Sequence, residues 1–342
     1  MPRKDFHHSS EGPRTGHFGE VALPAAPSPA PAGCWHEWPA DLAAYLAPEG
    51  REEDLAVELG PILARHGRLF VTQGPVREPA WVANIWRSPH LVSVSSISDA
   101  AGALRRLQRN WAPYPVHLHR RTELVREKLP HVSARPLRFP EPAPTSALGS
   151  FTLLDASTLL VSQDCSSPFP NGEVAFVEDH ENPPSRAYLK LWETLTRLGT
   201  TPEPGAHCFD LGASPGGWTW VLQGLGCTVT AVDKAPLATQ VASLPNVDIL
   251  PESAFSLSAE ALSGADWIFS DVICYPARLL KLVERLLASG VTAKFVCTVK
   301  FQGETDHETA RRFAAIPGSR LFHLHHNKHE LTWVRLLGVG GR

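Results

Sequence analysis

The chain has 342 residues, 43% of them apolar, and a formal net charge of −3 from 32 basic and 35 acidic residues. At roughly 150 residues per domain that length predicts about two domains, each with a real core, and the near-neutral balance excludes a nonspecific nucleic-acid binder working through overall charge. No apolar run approaches the roughly 20 residues of a membrane span, the polar start MPRKDFHHSSEGPRTG lacks a secretory apolar segment, and six cysteines without a CxxC pair argue against a zinc ribbon or disulfide scaffold, so the expectation is a soluble cytoplasmic protein with reduced thiols.

Residues 1–33 hold six prolines and four glycines, a composition that predicts a disordered tail. Apolar residues at helical spacing from Leu55 to Leu63, then the β-rich run Arg68 to Val71, predict a helix followed by a strand. A further strand is expected near Trp81 to Trp86, and SISDAAGALRRLQRN reads as a helix capped near Asp99. Residues 34–145 thus read as a small α+β domain. Between Ala101 and Glu141 nine basic residues (Arg105, Arg106, Arg109, Arg120, Arg121, Arg126, Lys128, Arg135, Arg138) stand against three Glu, which suits either a polyanion or a solvated face. Five prolines in LPHVSARPLRFPEPAPTSALGS forbid a regular element there. The boundary is therefore placed near residue 145, with 146–182 as connector and 183–342 as the second domain.

In that domain PPSRAYLKLWETLTRLG predicts a helix with Ser185 as its cap, an apolar stripe of Tyr188, Leu191, Trp192 and Leu195, Lys190 off the stripe, and Gly199 as its stop. HCFDLG, TVTAVD, VDIL, WIFSD, KFVCTVK and LTWVRLL then alternate with helical stretches, the pattern of a doubly wound α/β sheet. FDLGASPGGW runs from a strand through a glycine-rich turn into a helix, so a ligand can lie against backbone amides at a helix N-terminus. Asp233, 23 residues after Asp210, ends the next strand, where a carboxylate can accept from both hydroxyls of a ribose. The spacing is neither GxGxxG nor a GK[ST] loop, which favours a methionine-derived nucleoside over a pyrophosphate. Asp271 and Lys300 fall at the carboxyl ends of two strands, and Glu330 at the start of a third that meets them if it runs antiparallel.

DLGASPGGW resembles the first cofactor motif of the FtsJ-type S-adenosylmethionine-dependent ribose 2′-O-methyltransferases. Lys190 (SRAYLKL), Asp271 (WIFSD), Lys300 (FVCTVK) and Glu330 (NKHELTWV) stand in the order of that family's Lys-Asp-Lys-Glu tetrad over residues 183–335. The resemblance implies a Rossmann-like methyltransferase domain with S-adenosyl-L-methionine as cofactor, held by Asp210, Gly212, Ser214, Pro215, Gly216, Gly217, Trp218, Asp233, Ser253 and Asp271. It implies Lys300 as base, Asp271 as the group that orients it, and Glu330 as the partner of Lys190. Two places depart from the family: Ser253, beside Glu252, stands where an acid faces the adenine, and Ala187 replaces a serine three residues before the helical lysine. SSPFPNGEVAF followed by NPPSRAYLKLWE resembles the approach to the catalytic domain in members that methylate a cytidine of 23S ribosomal RNA. Those members carry an N-terminal RNA-binding part with a THUMP module, so a smaller THUMP-like α+β domain is expected over 34–145. The implied function is RNA 2′-O-methylation of 23S ribosomal RNA. Its rivals are the same chemistry on another RNA, or an RNA-binding or ribosome-assembly factor with a decayed cofactor site. His323, His325, His326 and His329 lack a regular metal-ligand spacing, and no metal is expected.

Overall fold

The computed structural model describes Trp35–His36 and residues 41–336, so the tail expected over 1–33 lies outside the described residues. The first half of the described chain runs β1 (Trp35–His36), β2 (Leu42–Leu46), α1 (Glu52–Leu59), β3 (Ala64–His66), β4 (Leu69–Gln73), β5 (Asn84–Trp86), β6 (His90–Ser93), α2 (Ile97–Leu107), β7 (Trp111–Pro113), α3 (His119–Arg126), β8 (Gly149–Leu153) and β9 (Thr158–Ser162). It builds two sheets, one of four strands in the order β3-β4-β2-β5 and one of five in the order β1-β6-β9-β8-β7. α2 opens on a reciprocal box: Asp99 N donates to Ser96 Oγ at 3.1 Å, and Ser95 N donates to Asp99 Oδ2 at 2.8 Å. Ser96 is therefore the cap and Asp99 its counterpart. The apolar face of α2, with Val125 of α3, packs on Phe151, Leu159 and Val161 of the five-stranded sheet.

The connector expected over 146–182 is corrected by this sheet. β8 and β9 pair with each other and with β7 and β6, so the N-terminal part continues to Ser162. The prolines of 129–150 do keep most of that stretch irregular, yet it is no free linker. Leu137 bridges Phe176, and the Phe139 ring stacks on Trp192 with centroids 5.1 Å apart. Proline removes backbone donors but leaves neighbouring side chains free to bury, so composition misread a strap as a spacer.

The second half runs α4 (Tyr188–Leu198), β10 (His207–Leu211), α5 (Gly217–Gly224), β11 (Thr228–Val232), α6 (Thr239–Ala242), β12 (Val247–Leu250), β13 (Trp267–Ser270), α7 (Pro276–Ala288), β14 (Lys294–Lys300), α8 (His307–Ala314), β15 (Ser319–Phe322) and β16 (Glu330–Arg335). Each expected strand is present. β15, which no sequence signal marked, adds an edge, giving the order β12-β11-β10-β13-β14-β16-β15. β10 to β14 run parallel, and β16 is antiparallel to β14 with Lys300 opposite Glu330. The order reverses between β10 and β13, and open α/β sheets collect ligands at the carboxyl side of that switch point.

α4 departs from its expected single stripe. Glu193, Thr194 and Thr196 are buried along with Tyr188, Leu191, Trp192 and Leu195, because Leu137, Val174 and Phe176 pack on it as well as the sheet. It starts at Tyr188 with Ala187 as an N-cap that makes no side-chain bond, so Ser185 does not cap it. Gly199 does end it, in the left-handed conformation with φ 64°.

The four-stranded sheet sits on the end of the large sheet where Lys300 and Glu330 lie. Tyr45, Leu55, Phe70 and Trp81 share one core with Val299, Phe301, Phe313 and Leu331. The Trp81 ring lies 5.7 Å from Phe301 and 5.9 Å from His329, the immediate neighbours of Lys300 and Glu330. Among the described residues no helix is long and apolar enough to cross a membrane.

Candidate active site

The tetrad expected from the sequence comes together as one ionic cluster. Lys190 Nζ lies 3.0 Å from Asp271 Oδ1 and 3.0 Å from Glu330 Oε1, while Lys300 Nζ lies 3.1 Å from the same Asp271 oxygen. Lys300 also donates to the Asp271 backbone carbonyl. α4 supplies Lys190, the end of β13 supplies Asp271, and the antiparallel β14/β16 pair sets Lys300 against Glu330. The four side chains are 11% to 17% exposed, half-sheltered but open on one side. Burial disfavours the Lys190 ammonium, yet the two carboxylates outweigh it and hold the group charged, above its ordinary value. Lys190 is thus the clamp of the cluster, whereas Lys300 meets a single carboxylate.

Beside the cluster lies a cleft of about 370 Å³ lined by Ser185, Asp210, Gly212, Ser214, Asp233, Asp271 and Lys300, with Ala213, Pro215, Gly217 and Trp218 completing the turn. Gly212 has φ +81°, and a Cβ there would stand 2.7 Å from Val272 Cα; one on Gly217 would stand 2.8 Å from Ser185 Oγ. The floor therefore requires glycine at 212, and Gly217 likewise leaves bare backbone where a ligand can approach closely. Gly216 lies under that floor against Val241. Asp233 Oδ2 accepts from Ser214 N at 3.1 Å, tying the ends of β10 and β11 together. Trp218 is 3% exposed, and its Nε1 donates to Ala187 O at 2.9 Å, so it seats α5 on α4 and only edges the cleft.

Three carboxylates, Asp210, Asp233 and Asp271, line this one cleft. Asp210 takes a hydrogen bond from Thr219 Oγ1 at 2.7 Å, while its buried Oδ1 has no partner. Burial, with the charges of Asp271 and Asp233 added, pushes its carboxyl up to about 7 despite that bond. A carboxyl raised in this way gains its charge as a cation arrives, which suits a cationic ligand, as the sulfonium and amino groups of S-adenosylmethionine are. Ser253, placed in the cofactor set by sequence, is not among the cleft's lining residues; its Oγ accepts from Phe255 N at 3.3 Å within its own turn. Ser185, Val272 and Ile273 line the cleft without having been counted in that set. For Val272 and Ile273 a signal existed, since they directly follow a strand end at the ligand-binding edge.

Gly212→Ala gives a direct check on the floor. A non-glycine residue at this φ, forced against Val272, is expected to cost on the order of 1–3 kcal/mol and to weaken cofactor binding. Thermal unfolding and S-adenosylmethionine titration read both; unchanged values in both would show that the turn relaxes freely.

The four histidines stabilise the approach to Glu330 instead of gathering as ligands. Glu193, wholly buried on α4, is met by Arg197 at 2.6 Å, by His326 Nδ1 at 2.7 Å, and by the amides of His325 and His326 at 2.8 and 2.9 Å. Burial opposes its ionisation, but Arg197 and His326 outweigh it and hold the carboxyl at about 2. Sequence gave no sign of this anchor, because a glutamate within an amphipathic helix reads as solvent-facing. His329 Nε2 lies 2.7 Å from Thr305 Oγ1, which in turn donates to Asp54 of α1. Among the described residues no group of three or more His, Cys, Asp or Glu is arranged to hold a metal ion.

Burial also depresses the His323 imidazole to about 4. A histidine lowered on folding contributes its stability fully above its unfolded value near 6.5 and loses it as pH falls from there toward 4; Glu193 adds a second loss from about 4.5 toward 2. Unfolding free energy is expected to fall by about 2–3 kcal/mol from His323 alone between pH 7 and 4.5. Denaturant titrations at both pH values measure it, and His323→Gln should flatten the slope; an equally steep slope in that variant would assign the effect elsewhere.

Residues 183–311 match the FtsJ-like methyltransferase family. The chain is 36% identical over 159 residues to the ribosomal RNA large subunit methyltransferase M of Halorhodospira halophila, covering 44% of this chain and 46% of that one. It is 34% identical over 162 residues to the protein of the same name from Alkalilimnicola ehrlichii, covering 44% of each. The chain spans about half the length of the curated relatives it matches. A solved ribosomal RNA methyltransferase, putative by its own description, from Plasmodium falciparum aligns with TM-score 0.34 and 15% identity over 44% of this chain and 96% of that one. The segment that carries the glycine-floored cleft, Lys190, Asp271 and Lys300 is thus similar to the FtsJ-like methyltransferases over residues 183–311.

Proposed function

We propose that this protein transfers a methyl group from S-adenosyl-L-methionine to a ribose 2′-hydroxyl of RNA, with a cytidine of 23S ribosomal RNA as the substrate and the cytoplasm as its place of work. The observation that carries this reading is the junction of the Lys190–Asp271–Lys300–Glu330 cluster with a cleft lined by three carboxylates. When bound, the cofactor supplies a methyl carried on sulfur: the C–O bond to the RNA forms as the C–S bond breaks, and that electron pair stays on sulfur. The backbone of Gly212, Ser214 and Gly217 would be open to the cofactor, Asp233 would accept from its ribose hydroxyls, and Asp210, ionised as the cation binds, would offset its positive charge together with Asp271. Lys300 Nζ, as the free amine, would hold the RNA hydroxyl and take its proton. Lys190, charged between Asp271 and Glu330, fixes the carboxylate that orients Lys300, so alignment is arranged before the substrate arrives.

The N-terminal sheets take the THUMP-like, RNA-docking role in this reading. Arg105, Arg106, Arg109, Arg120, Arg126, Arg135 and Arg138 are exposed there, as a phosphate-contacting surface requires. The names of the curated relatives support ribosomal RNA as the polyanion.

The test is mass-spectrometric mapping of 2′-O-methyl groups on ribosomal RNA from cells lacking the gene, complemented with wild type or Lys300→Ala. One 23S methylation should vanish and return only with wild type. An unchanged ribosomal map would overturn the substrate and turn attention to other RNAs.

A further inference from the structure

β13 ends in the short loop Asp271, Val272, Ile273, Cys274, Tyr275 before Pro276 opens α7. Its side chains alternate in and out. Val272 lies over Gly212 and Cys274 is buried, whereas Ile273 is 80% and Tyr275 65% exposed. Ile273 lines the cleft together with Asp271 and Lys300.

Tyr275 breaks two local rules at once. An exposed aromatic ring forgoes the large burial that makes aromatics stabilising, and Tyr275 is the N-cap of α7 without any side-chain cap bond, a place where Ser, Thr, Asp or Asn would stabilise the helix. A residue that serves neither core nor helix, four positions from Asp271, marks a functional position. Its backbone is fixed, with φ −65° and ψ 142°. The following proline disfavours the helical alternative, and buried Cys274 pins the loop from the other side. The ring is therefore displayed in one place before any ligand binds, which lowers the ordering cost of a contact there.

We infer that Tyr275, with Ile273 beside it, is the platform on which the base of the methylated nucleotide stacks while its ribose is presented to Lys300. This inference rests on the RNA ribose methyltransferase reading. A nucleotide drawn out of its own stack leaves a flat apolar base face that an aromatic side chain satisfies. Ile273 lines the cleft and Tyr275 follows it two residues on, and two such side chains offer about the area of one base and far less than a protein interface needs.

The experiment uses the full chain and ribosomal RNA, comparing Tyr275→Ser, Tyr275→Phe and Ile273→Ser. Serine improves the cap, so Tyr275→Ser should melt no lower than wild type and bind S-adenosylmethionine unchanged. Its KM for RNA should rise about 5- to 150-fold, the range a lost base–aromatic stack gives, with kcat much less affected. Tyr275→Phe keeps the ring face and should stay close to wild type, and Ile273→Ser should fall between. A wild-type KM in Tyr275→Ser, with RNA still methylated, would overturn the platform and leave the methyltransferase reading standing. A wild-type protein that methylates no RNA would remove both.

Discussion

Lys300→Ala should lower the rate of methyl transfer by about 10²–10⁴-fold, the span that general-base catalysis contributes, while S-adenosylmethionine binding changes little. The separation follows from the cluster's wiring. Lys190 keeps both its carboxylates when Lys300 is removed, so Asp271 stays paired and the cleft keeps its glycine floor. Truncating Lys190 instead would leave Glu330 without its ion-pair partner and Asp271 with Lys300 alone, and breaking a buried pair typically costs about 3–5 kcal/mol. Single-turnover rates and equilibrium cofactor titrations on the Lys300 variant distinguish chemistry from binding. Retained single-turnover rates would take the proton-accepting role away from Lys300.

Trp81→Ala should be the most damaging change outside the site, at about 3–5 kcal/mol of unfolding free energy. Trp81 is fully buried, and its backbone N–H donates to Glu58 Oε2 at 2.8 Å. Its ring spans from the four-stranded sheet to Phe301, His323 and His329 at 5.7, 5.3 and 5.9 Å. Since Phe301 follows Lys300 and His329 precedes Glu330, the cavity left behind lies directly beneath two of the four cluster residues. Activity measured well below the melting temperature should drop as well. A destabilised variant with undiminished turnover would show that the N-terminal sheet carries load without bracing the site. Trp81→Phe, which keeps an aromatic ring while trimming the indole and its unpartnered Nε1, should lose less.

The second half was legible because parallel strands and their turns write themselves locally. Buried strands need continuous apolar runs, a tight strand-to-helix turn needs glycines at fixed offsets, and the carboxyl edge of each strand can be counted to Asp271 and Lys300. The N-terminal half was less so. Its strands β3 and β7 are three residues each, too short for a period to register, and its sheet takes β8 and β9 from beyond a proline-rich stretch that composition assigns to a linker. Pairing partners that distant are chosen by packing, which leaves no local trace.

By itself the sequence determined the doubly wound sheet and the glycine turn, since each depends on residue type at a short, countable spacing, while a family resemblance supplied the order of Lys190, Asp271, Lys300 and Glu330. Only the tertiary structure decided that Lys190 is the clamp and Lys300 the less encumbered amine, that Glu193 anchors the loop before Glu330, that the Ser253 hydroxyl bonds within its own turn, and that Trp81 supports the cluster from the N-terminal sheet. Those facts depend on which side chains meet across long separations and how far each is withdrawn from water, and both are set when the whole core closes.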